Sequence, residues 1–143
     1  MSDLEQLRRI YADYDREALE ARQEARPFDG ILGLGNDPRR HPCHKHFYAA
    51  VQSWVEEFLQ AEPDGETAFQ AAEEIILAAD RRRNNRDTYW YCYAAQGLAA
   101  DLLPTLTPER CRELAETYDR LYPKKDRLPV QKALFKQLKK LGK

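Results

Sequence analysis

Apolar residues recur along this chain at the spacing of α-helices. From Leu4 to Ala25 they follow one another every three or four residues, which places them on one side of a helix. Four later segments show the same rhythm, and none alternates apolar and polar residues for long enough to predict a strand. The fold class is therefore predicted to be all-α, a single compact bundle of about six helices in one domain spanning residues 1–143.

Residue types typical of helix starts mark several of the predicted boundaries. Ser2 and Glu5 have the spacing of a capping box, and Thr107 before Pro108 suits an N-cap followed by the first helical residue. Leu128 before Pro129 also predicts a start, without a capping side chain, so packing must hold that helix in place.

Residues 88–103, TYWYCYAAQGLAADLL, form the most apolar predicted helix. Between Tyr89 and Leu103 only Gln96 and Asp101 are strongly polar. Since a helix that is apolar nearly all round is usually buried, we expect the 88–103 helix to be central, with the other helices around it.

The overall composition is that of an ordinary globular protein, with 43% apolar and 33% charged residues. No apolar run approaches the roughly 20 residues that span a bilayer, and the N-terminus lacks the apolar core of a signal peptide. Three scattered cysteines do not resemble a disulfide framework. These features predict a soluble, cytoplasmic protein with reduced thiols, no membrane span and no cofactor.

The stretch GLGNDPRRHPCHKHFY, residues 33–48, contains all three histidines of the chain. It begins inside a loop that is predicted over residues 27–41. The apolar residues within this loop indicate that it packs on the bundle. Glycines allow backbone N–H groups to approach a ligand, and a helix start attracts anions. One hypothesis is therefore a phosphate or carboxylate site, with these candidate ligands: Gly33, Gly35, Arg39, Arg40, His44 and Lys45. In the alternative interpretation the glycines only turn the chain and the arginines pair with surface acids.

The same stretch is a weak candidate for a metal site. His41, Cys43 and His46 are of ligating types, but zinc requires three or four convergent ligands. Helical geometry places His44 on the buried face and His46 on the solvent face, so these two cannot share an ion. We therefore predict no metal.

His44 and Asp101 are the candidates for catalysis. Both are expected on inward-facing positions, where a histidine–carboxylate pair could act as an acid/base unit or as a structural pin. Trp90 and Tyr91 would lie around such a site. The alternatives are a neutral, hydrogen-bonded His44 in the core and an exposed Asp101.

The predicted basic C-terminal helix, residues 128–141, contrasts with an acidic body. Residues 124–143 contain eight Lys and Arg against one acid, a net charge of +7, whereas the other 123 residues have a net charge of −8. Val130, Leu134, Leu138 and Leu141 are expected on its inner side. Lys132, Lys136, Lys139 and Lys140 are the candidate partner-binding residues, although they are also compatible with simple solvation.

No motif in the chain specifies a reaction: it has no P-loop, no GxSxG and no HExxH. We therefore favour a non-enzymatic binding or regulatory module that acts through protein–protein interaction, with a protein partner or a second copy. The alternatives are binding or turnover of a small anionic ligand at residues 33–46 with His44 and Asp101, and nucleic-acid binding through the basic helix. The acidic remainder of the chain disfavours nucleic acid because it repels phosphates.

Overall fold

The computed structural model describes residues 2–26 and 37–143, and these contain six α-helices and no strand. The all-α prediction is thus confirmed. The described residues also contain 3-10 segments at Pro38–Arg40, Gln96–Thr105 and Lys124–Asp126, which lie between the α-helices. The helices are α1 (Asp3–Glu24), α2 (Cys43–Gln60), α3 (Gly65–Asp80), α4 (Tyr89–Ala95), α5 (Pro108–Leu121) and α6 (Pro129–Leu141). Among the described residues, no helix is both long and apolar enough to cross a membrane.

The predicted helix starts after Ser2, Thr107 and Leu128 are confirmed, the first two by their capping geometry. Ser2 Oγ accepts from the Glu5 backbone N–H at 3.1 Å, and the Glu5 carboxylate accepts from the Ser2 N–H at 3.1 Å, which completes the capping box. The Thr107 hydroxyl accepts from the Arg110 N–H at 3.2 Å. Leu128 precedes α6 with no side-chain cap, as expected.

The central 88–103 segment is not one uniform helix. The α-helix ends at Ala95, and the chain continues as a 3-10 helix to Thr105, through Pro104. This 3-10 helix packs against α2, α3 and α6, so its central position is confirmed. The segment is nevertheless not covered on all sides, because Trp90, Ala94 and Asp101 are exposed.

Glutamine side chains tie this central segment to its neighbours. Gln96 is fully buried; its amide donates to the Ile76 carbonyl at 3.0 Å, and its oxygen accepts from the Tyr118 hydroxyl at 2.7 Å. From α6, Gln131 donates to the Tyr93 carbonyl at 2.8 Å and Gln137 donates to the Ala100 carbonyl at 3.1 Å. Both ends of the Gln96 amide are thus satisfied, whereas the buried amide oxygen of Gln131 has no hydrogen-bond partner among the described residues.

The inner face of α6 differs from the predicted one. Leu134 and Leu138 are buried as expected, and Leu141 is partly buried. Gln131 is also buried, at 1% exposure, whereas Val130 is 50% exposed, so the prediction for Val130 was wrong. Hydrophobicity alone favours the valine for the core; the hydrogen bond from Gln131 to the Tyr93 carbonyl reverses that choice.

Candidate functional site

His44, in the first turn of α2, is a buried residue with both ring nitrogens engaged. Its side chain is 1% exposed, and its ring stacks on Tyr91 with 4.1 Å between centroids. Nε2 lies 2.7 Å from the Pro38 carbonyl oxygen, and Nδ1 lies 2.6 Å from the Tyr14 hydroxyl. Because a carbonyl only accepts, we assign the proton to Nε2, and Nδ1 then accepts from Tyr14. Burial lowers the pKa of His44, which agrees with a neutral ring.

These contacts make His44 a structural pin. The Tyr91 hydroxyl donates to the Arg39 carbonyl at 2.9 Å, next to the bond from His44 to the Pro38 carbonyl. Together the two side chains attach the 3-10 turn Pro38–Arg40 to the bundle. With its ring nitrogens engaged, His44 has neither a free donor nor a free acceptor for acid/base chemistry.

The structure does not bring the candidate pair His44 and Asp101 together and agrees with the alternative of a hydrogen-bonded His44 in the core. Asp101 lies exposed in the 3-10 helix, and the partners of His44 are Tyr14 and Pro38. The carboxylate that raises the His44 pKa most is that of Asp87, which is itself bound to Arg22 through two bonds of 2.5 and 2.9 Å. The Arg22 bond also lowers the pKa of Asp87.

Asp101→Asn is therefore expected to leave the His44 pKa unchanged, whereas Asp87→Asn should lower it further, because the Asp87 charge favours the protonated ring. The measurement is an NMR titration of the histidine ring protons in wild type and both variants. A His44 pKa that follows Asp101 and ignores Asp87 would contradict the geometry.

The candidate anion ligands that the structure describes lie in different environments. Gly33 and Gly35 lie outside the described residues. Arg39 is bound to the Asp37 carboxylate at 3.2 and 3.3 Å, and His44 is buried. Arg40 and Lys45 are both exposed.

The candidate metal ligands point in different directions. Cys43 is 2% exposed, whereas His41 and His46 are exposed. The His41 ring accepts from the Cys43 backbone N–H at 3.1 Å, so this imidazole acts as a cap for α2. Among the described residues, no group of three or more ligating side chains could hold a metal ion. All three cysteines are free and buried, and burial raises the pKa of Cys92 to about 12.

The four candidate lysines of α6 are all exposed: Lys132, Lys136, Lys139 and Lys140. Among the described residues, every ion pair uses an arginine, and none includes a lysine. The lysines of α6 therefore present their charge to solvent.

Sequence reasoning missed an exposed apolar surface, which we call the Trp90 patch and define as Trp90, Ala94, Leu128 and Val130. Trp90 is 60% exposed, Leu128 56% and Val130 50%, and Ala94 is also exposed. One signal could have revealed it: on an ideal helix, Asp101 shares a face with Trp90, and a carboxylate there indicates contact with water.

Contacts of Tyr93 and of the 3-10 helix Gln96–Thr105 with α6 and the turn before it bring the members of the Trp90 patch to one side of the molecule. Trp90 and Ala94 are one helical turn apart, and Gly97 follows them. A Cβ on Gly97 would lie only 2.6 Å from Cγ1 of Val130, so the two segments meet closely there. The Tyr93 ring is 6.0 Å from that of Trp90, and its hydroxyl donates to the Asp126 carbonyl at 3.3 Å, two residues before Leu128.

No protein-family model, curated protein or solved structure matches this chain. The class of protein is therefore defined here by fold and surface: an all-α bundle with a buried histidine pin and an apolar patch beside a basic helix.

Proposed function

We propose that this protein is a non-enzymatic binding module that contacts another polypeptide through the Trp90 patch. The observation that carries the proposal is the exposure of three large apolar side chains, Trp90, Leu128 and Val130, on one surface. Tryptophan is among the residues that contribute most binding energy at protein interfaces. Single exposed apolar residues need no explanation, whereas a group assembled from two separate segments favours an interface.

Contacts around the patch hold its side chains in place before a partner binds. Trp90 makes an edge contact with Tyr89 at 4.9 Å, and Tyr93 fixes the neighbouring Asp126 carbonyl. Side chains held in this way lose little conformational entropy when a partner covers them. The ordering of side chains therefore offsets less of the favourable free energy of burying the indole ring.

Two observations favour binding over the alternatives. Both ring nitrogens of His44 are engaged in hydrogen bonds and Asp101 lies apart from it, which removes support for the acid/base unit. Arg39 is engaged by Asp37, which weakens the anion hypothesis. Nucleic-acid binding would use the same exposed lysines without needing Trp90, and the test below separates the two.

The test is site-specific photo-crosslinking in the native cells. A photoreactive phenylalanine analogue replaces Trp90 or Leu128, and the matched control places it at Leu19, which is 57% exposed on α1. We expect one defined polypeptide, or a second copy of this chain, to be crosslinked from positions 90 and 128 but not from 19. Equal crosslinking at position 19, or none at 90 and 128, would overturn the proposal.

The purified partner then provides an independent readout through tryptophan fluorescence. The chain has two tryptophans, and Trp54 is buried, with its N–H donating to the Asp3 carbonyl at 3.0 Å. Collisional quenching by acrylamide thus reports mainly on Trp90. The crosslinked partner should reduce this quenching at least twofold, and Trp90→Phe should remove the response. Undiminished quenching in the complex would place the interface elsewhere.

A further inference from the structure

Exposed lysines without ion-pair partners border the Trp90 patch. Lys124, Lys125, Lys132 and Lys136 are exposed, and within residues 2–26 and 37–143 no ion pair includes any of them. In contrast, arginines such as Arg82, which binds Asp15 at 2.7 Å, are used between helices within the fold. The two kinds of cation therefore differ in their bonding: arginines form the ion pairs of the described residues, whereas the lysines at this end keep their charge exposed to solvent.

The positions of these lysines place them on the border of the patch. Leu128, Lys132 and Lys136 follow one another at intervals of four residues, so they form one row along α6. Lys124 and Lys125 belong to the 3-10 turn whose Asp126 carbonyl accepts from Tyr93. Positive charge thus flanks the apolar surface from two directions, and Asp126 is the single acid in residues 124–143.

We infer that the Trp90 patch binds an acidic amphipathic segment of its partner, with apolar side chains on Trp90, Leu128 and Val130 and carboxylates against the lysines. This inference rests on the proposed function and names the chemistry of its partner. Charge complementarity carries it: an apolar centre with a cationic rim matches an apolar stripe with anionic flanks. The acidic remainder of the chain repels the same segment from other surfaces.

The geometry separates two contributions that can be measured independently. Rim charges chiefly accelerate association and make it sensitive to salt, whereas the buried apolar anchor chiefly determines the dissociation rate. Reversal of Lys132 should slow association, and truncation of Trp90 should speed dissociation. A surface that binds only through its charge would show the first effect without the second.

The experiment uses three fluorescein-labelled peptides of equal length and the full chain, with fluorescence anisotropy as readout. The first peptide carries leucines at helical spacing with glutamates between them. The second replaces each glutamate by lysine, and the third keeps the glutamates but replaces each leucine by serine. We expect at least tenfold tighter binding of the first peptide, weakened at least tenfold when salt rises from about 50 to about 300 mM.

Matched variants identify the surface. Lys132→Glu and Trp90→Ala should each weaken binding of the first peptide at least tenfold. Lys45→Glu reverses an exposed lysine on α2, and Leu19→Ala truncates an exposed leucine on α1; both should leave binding within twofold. Circular dichroism of each variant confirms that its fold is retained.

The remaining outcomes distinguish failure of the acidic-segment inference from failure of the proposed function. Equal binding of the leucine–lysine peptide would show that the inferred acidic chemistry of the partner is wrong. The same holds if no peptide binds while photo-crosslinking still captures a polypeptide from position 90. In both cases the proposed function stands. If a single-stranded oligonucleotide or an anionic lipid vesicle binds more tightly than the first peptide and Trp90→Ala has no effect, both proposals are overturned.

Discussion

Replacement of His44 by alanine is expected to lower the free energy of unfolding by about 3 kcal/mol. The change leaves the Tyr14 hydroxyl and the Pro38 carbonyl without their buried partner and opens a cavity beneath Tyr91. Urea unfolding followed by circular dichroism measures the effect. A second substitution, Tyr14→Phe, should lower the free energy of unfolding less in the His44→Ala variant than in wild type, because Tyr14 and His44 share one hydrogen bond.

The matched control is His46→Ala, which changes an exposed histidine two residues away and should cost less than about 0.5 kcal/mol.

The two variants also differ in the pH dependence of their stability. Burial lowers the pKa of folded His44, so the unfolded chain binds the proton more tightly. The contribution of neutral His44 to the free energy of unfolding is therefore complete above the ordinary pKa of 6.5, and it declines as the pH falls below that value. The His44→Ala variant should not show this decline. Equal curves of stability against pH for the two variants would contradict the structural role of buried His44.

Arg127→Ala is expected to cost about 3 kcal/mol, because one side chain holds α5, α6 and the turn between them. Arg127 is 6% exposed; its guanidinium donates to the Tyr122 carbonyl and to Asp119, each at 2.9 Å. Its Cζ lies 4.3 Å from the centre of the Phe135 ring and 5.3 Å from that of Tyr118. Chemical denaturation of wild type and variant gives the difference in stability.

Asp119→Ala provides the control for this prediction, because it removes only the ionic part of the arrangement. The Asp119 side chain is 66% exposed, and an exposed partner contributes under about 1 kcal/mol. Losses of equal size in Arg127→Ala and Asp119→Ala would show that the ion pair, and not the aromatic and carbonyl contacts, stabilises this corner. Arg127 directly precedes Leu128, so Arg127→Ala also loosens one member of the Trp90 patch.

The interpretation of His44 shows where sequence reasoning succeeds and where it ends. The spacing of His44 with Val51 and Val55 correctly predicted its inward direction, because neighbouring positions on one helix have a known geometry. Its partners were not predictable, since Tyr14 comes from α1 and Pro38 from a separate turn. The helical projection correctly placed Asp101 on the face of Trp90 and Ala94, since all three are exposed; the error was to expect that face to point inward.

The sequence by itself determined the helical class, the helix starts at Ser2, Thr107 and Pro129, and the uneven distribution of charge, because each depends on residues that are neighbours along the chain. Only the tertiary structure decided that Gln131 enters the core while Val130 and Trp90 stay in water. Those choices depend on which carbonyl of another helix comes within hydrogen-bonding distance, and on how closely two helices approach at Gly97. No local pattern contains these quantities, and the surface proposed for binding results from them.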